Sequence, residues 1–310
     1  MDAIFLTSGD VIIDRRFEWA RDLEAKGDLA GAADLLAQTV ELSPGYAAAW
    51  FALGHLRELQ GETAGAIVAF EQARAIDPED RHGASLRLTR LGAAQVAMSD
   101  GYVRTLFDGY ALTFDSALRM GLGYRAPELM RDAVRAARPE MTFGAALDLG
   151  CGTGLGGAAF RPFCKTLVGV DLSPAMVAQA RTKTIYDRLV EGEVVEFLNA
   201  EAVAHTAYDI VIAADLFGYL DDLTAVLGAA ARVLAPGGLI VFSAETHQGD
   251  GVILRDTLRY AHAESHVRGA LAAAGLHDVS LDFAAARSEK GVPVPGLVVV
   301  ARRRCNGIAA

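Results

Sequence analysis

AALDLGCGTGLGG, residues 145–157, decides the reading of this chain. An apolar run ends in a cluster of glycines and passes directly into a helical stretch, the pattern of a buried strand that turns sharply into a helix. Gly150, Gly152 and Gly154 would bring bare backbone close to a ligand, because a residue without a Cβ tolerates both the torsions and the close approach. Outward from this stretch, further short apolar runs follow: TLVGVD (166–171), YDIVIAAD (208–215) and GLIVFSAE (238–245). Helical segments separate them, which predicts a parallel sheet covered on both faces. The last part, HDVSLDFAAARSEKGVPVPGLVVVARR (277–303), predicts two strands with no helix between them.

Gly152, Gly154 and Gly157 also spell G-x-G-x-x-G, so a nicotinamide or flavin ligand competes at this point. Asp148 weighs against it, since a carboxylate two residues before the first glycine would repel a pyrophosphate and suits a ligand carrying an ammonium group. Asp171 ends the next strand, where it can accept hydrogen bonds from ribose hydroxyls in either ligand class. In SPAMVAQAR (173–181), Ser173 is placed to cap a helix and Pro174 suits its first turn, which would fix the loop that holds a nucleoside. In RVLAPGGLIVFS (232–243), Pro236, Gly237 and Gly238 are expected to make the turn between a helix and the next strand.

LDLGCGTG, VDLSPAM, YDIVIAADLFGYL and LAPGGLIVF, taken in this order, resemble class I S-adenosylmethionine-dependent methyltransferases over roughly residues 100–304. With the helical repeats described below and RYAHAESHVRGALAAAGL (259–276), the chain looks most like bacterial methyltransferases that carry tetratricopeptide repeats. The resemblance implies an α/β fold: a seven-stranded Rossmann-like sheet with an antiparallel last strand, preceded by an all-α tetratricopeptide-type module. It implies S-adenosylmethionine as cofactor and S-adenosylhomocysteine as product. Carried onto this sequence, Asp148, Gly150, Cys151 and Gly152 would face the methionine end, Asp171 and Leu172 the ribose, and Met176 the base. Glu193 would approach the adenine with the Val194 amide beside it, Asn199 being the alternative. Asp215 and Leu216 would line the space between cofactor and acceptor. Tyr110 and Phe114 lie in a helix that could close over the sulfonium, where an aromatic face stabilises positive charge. If the acceptor needs a base, His262 is the first candidate and His247 the second. Asp215 with Glu245 lacks a third clear oxygen ligand, so no metal is expected.

Residues 13–95 have helical periodicity and two copies of one unit at a shift of about 34 residues. Gly27 answers to Gly61, Ala32 to Ala66, Leu36 to Phe70 and Pro44 to Pro78. The second copy resembles a tetratricopeptide repeat closely, with Trp50, Leu53 and Gly54 on its first helix and Ala66, Phe70 and Ala73 on its second. In the first copy Arg16 and Thr39 replace the expected aromatic and small residues. A helix near 81–94 is expected to cap the array. Residues 98–137 predict two or three aromatic-rich helices leading into the sheet, and the domain boundary is expected between 1–95 and 96–310. The repeats would serve a protein partner, or packing and self-association.

The chain has 310 residues, of which 52% are hydrophobic, and a formal net charge of −10. That balance, together with AADLFGY in place of a Pro-Pro-aromatic motif and the lack of a Pro-Cys pair, speaks against nucleic acid as acceptor. Cys151, Cys164 and Cys305 form no metal-ligand pairing and leave an odd thiol, which fits a reducing cytoplasm. The opening MDAIFLTSGDVIIDRR has no basic segment followed by a clean apolar one, and no run of apolar residues is long enough for a membrane span. The acceptor is expected to be a small molecule or a carrier-bound acid. A protein target selected by the repeats, or a cofactor-binding scaffold without catalysis, are the alternatives.

Overall fold

A computed structural model of the chain describes residues 7–118 and 123–304, so Cys305 and the first six residues lie outside the description. It divides into two compact units, Met1–Thr105 and Leu106–Ala310.

In the first unit, α1 (Val11–Ala25), α2 (Leu29–Leu42), α3 (Ala47–Leu59) and α4 (Thr63–Ile76) make two helical hairpins, followed by α5 (Ala84–Arg90). Gly27 and Gly61, matched in the sequence repeat, take φ of 84° and 78° just past the ends of α1 and α3. Left-handed torsion there stops each helix, and glycine adopts it without a Cβ penalty. A Cβ on Gly54 would lie 2.8 Å from the Phe70 ring, which is why α3 and α4 pack so closely. Trp50 packs against both apolar clusters of the unit, and its indole N–H donates to the Pro44 carbonyl at 2.9 Å. In the divergent first copy Thr39 is buried and returns its hydroxyl to the Leu35 carbonyl, while Arg16 bonds Gln38 at the surface. Ala84 and Leu88 of α5 cover Ala66, Phe70 and Ala73, as a capping helix should.

The division falls later than the expected 95/96 boundary, inside α6 (Asp100–Tyr110). The start of α6 belongs to the first unit because Ser99 bonds the Asp80 carbonyl and the Tyr102 ring fills the space where a Gly83 side chain would be.

The second unit continues through α7 (Phe114–Ser116), α8 (Ala126–Ala137), β1 (Phe143–Leu149), α9 (Leu155–Phe160), β2 (Cys164–Asp171), α10 (Pro174–Thr182), β3 (Arg188–Glu191) and α11 (Val194–Val203). Then come β4 (Tyr208–Ala213), α12 (Thr224–Val233), β5 (Leu234–Glu245), β6 (Val252–Leu254), β7 (Tyr260–His262), α13 (Glu264–Ala273), β8 (Leu276–Phe283), β9 (Ser288–Glu289), β10 (Val292–Pro293) and β11 (Gly296–Arg303). The main sheet runs β3-β2-β1-β4-β5-β11-β8. Its first five strands are parallel, and β11 is antiparallel to both neighbours, as the resemblance implies for the last strand.

Side-chain alternation assigns the two faces. Leu147, Val211, Ile240, Phe242 and Val299 join the core under α11, α12 and α13, whereas Ala146, Ile210, Ile212, Val241 and Val300 join the core under α8 and α9. Two details differ from expectation. Pro236–Gly238 lie within β5 rather than ahead of it, and a register shift against β4 accommodates them. Short pairs β6–β7 and β9–β10, with β7 also beside β5, are strands that the sequence reading does not include. Among the described residues no helix is long and apolar enough to cross a membrane.

Candidate active site

Parallel pairing of β1 with β2 brings two acidic side chains to the carboxyl end of the sheet, Asp148 near the end of β1 and Asp171 at the end of β2. Both are buried. Between β1 and α9, Gly150, Gly152 and Gly154 take φ of 61°, 53° and 94°, which an L side chain adopts only at a cost. The glycines face different neighbours. A Cβ on Gly152 would meet nothing closer than the Phe114 ring at 3.9 Å, so the backbone there is an open floor. On Gly154 and Gly169 it would lie 3.1 and 2.9 Å from the Tyr186 ring, and on Gly157 closer still. These three glycines form a slot for Tyr186, whose hydroxyl donates to Asp148 Oδ2 at 2.6 Å.

Asp148 Oδ1 is buried without a hydrogen-bond partner. Burial pushes this carboxyl up to about 7, with the Tyr186 hydroxyl pulling the other way. Asp171 Oδ1 accepts from the Ser173 amide at 2.9 Å and Oδ2 from the Gly152 amide at 2.8 Å. Burial raises its pKa, and those amides work against the rise. The Gly192 amide donates to the Asp171 carbonyl at 3.0 Å, which places the end of β3 beside it.

Helices α6 and α7 bond to this edge. Asp108 Oδ1 accepts from the Ser173 hydroxyl at 2.6 Å and the Ala175 amide at 3.3 Å, at the positive N-terminal end of α10. Asp115 accepts from the Thr153 hydroxyl and from Lys183 Nζ, the latter at 2.6 Å. Phe107 meets Phe114 edge to face at 5.9 Å and Tyr219 at 5.1 Å, a run of aromatic rings that starts over Gly152.

The other half of the site stands at the ends of β4 and β5. Asp215 has φ of 63°, an unusual torsion for a residue with a side chain, and its amide donates to the Ser243 hydroxyl at 3.0 Å. Leu216, next in sequence, lies 3.0 Å from where a Gly150 Cβ would stand. Arg259 Nη2 contacts Asp215 Oδ1 at 2.5 Å, its Nε contacts Glu245 Oε1 at 2.5 Å, and its guanidinium covers the Tyr219 ring at 4.5 Å. Arg287 Nη2 reaches Glu245 Oε1 at 2.7 Å, and Arg255 stands 3.5 Å from Glu245 Oε2. Burial works against the Arg259 charge, but Asp215, Tyr219 and Glu245 more than offset it and raise its pKa. Burial alone would raise Glu245 too, and the combined pull of Arg259 and Arg287 holds it below the ordinary range.

Comparison with known proteins bears on this arrangement directly. Residues 147–240, which run from the end of β1 to the middle of β5, match the family model described as a methyltransferase domain. Residues 23–89 match a tetratricopeptide repeat. The chain thus carries a methyltransferase domain that follows tetratricopeptide repeats in sequence. Among curated relatives, the malonyl-[acyl-carrier protein] O-methyltransferase of Pectobacterium atrosepticum is 33% identical over 97 residues, 31% of this chain and 37% of that protein. Its counterpart in Serratia marcescens is 31% identical over 125 residues, covering 40% and 47%. The ubiquinone biosynthesis O-methyltransferase of Thiobacillus denitrificans is 31% identical over 99 residues, covering 31% and 42%. The chain thus spans less than half the length of these relatives. A solved S-adenosylmethionine-dependent methyltransferase from Clostridium acetobutylicum aligns at 18% identity and a TM-score of 0.48, over 64% of this chain and 99% of that one.

Within the methyltransferase domain, the residues expected on sequence grounds fall into three groups. Asp148, Gly150, Cys151, Gly152, Asp171, Leu172 and Met176 gather along the β1 and β2 ends, with Cys151 and Met176 buried. Glu193 and Val194 open α11, where the Glu193 carboxylate caps the helix by accepting from the Glu196 amide at 2.7 Å. Asn199 bonds Arg232 on the exposed face of that helix.

Three expectations need correction. Tyr110 is 52% exposed at the end of α6, whereas Phe114, expected beside it, stands 3.9 Å from where a Gly152 Cβ would be and packs on Phe107. His262 has no exposed surface; its Nε2 lies 3.0 Å from the Phe217 carbonyl and its ring stacks on His266 at 5.6 Å. A ring buried behind the Phe217–Tyr219 turn cannot reach an acceptor, and burial lowers its pKa further. His247 closes its own loop, taking the Gly249 amide at 3.1 Å and lying 3.3 Å from the Gly251 carbonyl.

Tyr186, Arg259 and Arg287 were not singled out in the sequence. Gly169, a glycine inside an apolar strand, was the available signal for Tyr186, since such a position often marks a close approach. No local pattern marks the arginines.

Proposed function

We propose that this chain transfers the methyl group of S-adenosylmethionine to a small-molecule or carrier-bound acceptor. The observation that carries the reading is the pair Asp148 and Asp171 on either side of an open glycine floor, at the carboxyl ends of adjacent parallel strands. The partnerless Oδ1 of Asp148 fits a ligand ammonium group, and Asp171, tied to two amides, keeps lone pairs for ribose hydroxyls. Gly150, Cys151 and Gly152 would cradle the methionine end, with Leu172, Met176, Glu193 and Val194 around the nucleoside. The bound cofactor supplies an electrophilic methyl group on a sulfonium. The chain's own work is alignment and exclusion of water: Phe107, Phe114 and Tyr219 would shield the transfer, and Asp215 with Leu216 would border the acceptor. Curated relatives named for malonyl-[acyl-carrier protein] and ubiquinone biosynthesis support an acceptor that is small or carried. The repeats would serve a protein partner or self-association.

Calorimetric titration of the full chain with S-adenosylmethionine and S-adenosylhomocysteine tests the reading. Binding is expected, with Asp171→Ala weakening it by about tenfold to a hundredfold. A folded full chain that binds neither compound overturns it.

A further inference from the structure

We infer that the outer face of α1 pairs with the same face of a second copy of this chain, the two helices running antiparallel about a two-fold axis beside Trp19. The inference rests on reading the repeats as an interaction element and names their partner. It is independent of the methyl-transfer reading, which the cofactor titration tests separately.

The end of the array comes first. A repeat array stays soluble when its terminal helices turn a polar face outward. At one end α5 covers Ala66, Phe70 and Ala73. At the other end stands α1, where Val11, Ile12 and Trp19 are 69%, 71% and 61% exposed. At about 3.6 residues per turn, Ile12, Arg15, Trp19, Asp22 and Lys26 make one stripe with Val11 at its side, while Ile13 and Ala20 face the core. Members of the stripe are alternately three and four residues apart, the spacing by which one helix seats against another. The chain entering α1 is tied away from this stripe. The Ser8 amide and hydroxyl donate to Asp14 Oδ1 at 2.7 and 2.8 Å, and Asp14 stands about 140° around the helix from Trp19.

Charge selects the partner. Arg15 and Asp22 are exposed, and neither side chain has a hydrogen bond or ion pair with any described residue. By contrast Arg16 bonds Gln38, Arg21 pairs with Glu24, and Asp14 holds Ser8, all within the repeat unit. Arg15 precedes Glu18 by three residues and Asp22 follows Trp19 by three. A two-fold axis between Glu18 and Trp19 of antiparallel helices therefore sets Arg15 of each copy against Asp22 of the other. It also brings the two Trp19 rings together and lays Ile12 against Ala25 and the stem of Lys26. Parallel pairing would set like charges on each other. The face is thus its own complement, which a two-fold contact between identical chains requires and a contact with an unrelated partner does not. The contact is one helix of 15 residues long, so the dimer is a weak one, with a dissociation constant on the order of 10 μM.

Sedimentation equilibrium of the full chain, over concentrations that bracket this value, tests the inference. The chain should pass from monomer to dimer. Trp19→Lys should weaken the dimer by about tenfold or more. Arg15→Asp and Asp22→Arg should each be monomeric alone, because each sets like charges across the axis, and an equimolar mixture of the two should recover the dimer. An unaltered melting temperature by circular dichroism reports intact repeats in each variant, as expected for substitutions at exposed positions. A variant lacking residues 2–6 should associate as the full chain does. The inference is overturned if the full chain stays monomeric, or if Trp19→Lys or either charge variant alone dimerises as the full chain does. It is equally overturned if the mixture fails to recover the dimer, or if removing residues 2–6 abolishes it and so assigns the contact to that segment.

Discussion

Two pairs of carboxylates, of which Asp215 alone is only half-buried, stand on the same edge of one sheet and are held by different partners. Asp148 and Asp171, on β1 and β2, are held by neutral donors, a phenol and backbone amides, and burial raises both. Asp215 and Glu245, at β4 and β5, are held by guanidinium groups. A carboxylate solvated only by neutral dipoles remains a demand for positive charge, whereas one paired with arginine has met that demand, although burial still raises Asp215. The first pair therefore suits a cationic ligand, as a sulfonium donor requires, while the second is balanced by its own arginines.

The largest expected effect lies on the arginine side. Arg259→Gln leaves the half-buried Asp215 without its counter-charge and Glu245 with Arg287 and the looser Arg255, and should lower stability by about 2–4 kcal/mol, read by scanning calorimetry of the full chain. A loss under about 1 kcal/mol would mean that the cluster is open to water and that the contrast between the two ends is weaker than the geometry implies.

On the other side, the contrast predicts a pH dependence. The folded chain holds the Asp148 proton up to about 7, while the unfolded chain releases it in the ordinary carboxylate range. This group therefore favours folding less and less as the pH rises between those values, and adds no further change above about 7. A ligand ammonium group favours the ionised form, so S-adenosylhomocysteine affinity should climb by up to about tenfold per pH unit below the Asp148 pKa and level off above it. Asp148→Asn should flatten both dependences. A profile unchanged by that substitution would detach Asp148 from the ligand.

The smallest effect concerns a third carboxylate at the cofactor end. Glu193→Gln should weaken S-adenosylhomocysteine by about threefold to tenfold and cost about 1 kcal/mol or less as a helix cap. Asn199→Ala, on a side chain turned toward Arg232, should leave binding unchanged. The reverse result would move the adenine contact from the start of α11 to its outer face.

Much of this site was legible along the chain because its parts are local. A strand, a glycine turn and the next strand's terminal carboxylate lie within one βαβ unit, and their order and spacing are properties of the chain itself. The repeat was equally legible, since Gly27 and Gly61 end equivalent helices by the same torsion. The aromatic cover was read less well: Phe107 and Tyr110 on α6 and Phe114 at the start of α7 were expected in one helix, and the pattern does not reveal which ring turns inward. His262 misled for a related reason, because burial behind the Phe217–Tyr219 turn depends on a segment 45 residues away.

The sequence by itself determined the alternation of strands and helices, the helical repeats, and the acidic and glycine residues of the β1 and β2 ends, because periodicity, turn chemistry and βαβ order are written within short stretches of chain; the antiparallel last strand was implied by the resemblance. Tertiary structure alone decided that three glycines serve Tyr186, and that Arg259 and Arg287 neutralise Asp215 and Glu245. Those pairings join residues 14 to 44 positions apart across separate elements. Burial sets their strength, and burial belongs to the folded whole.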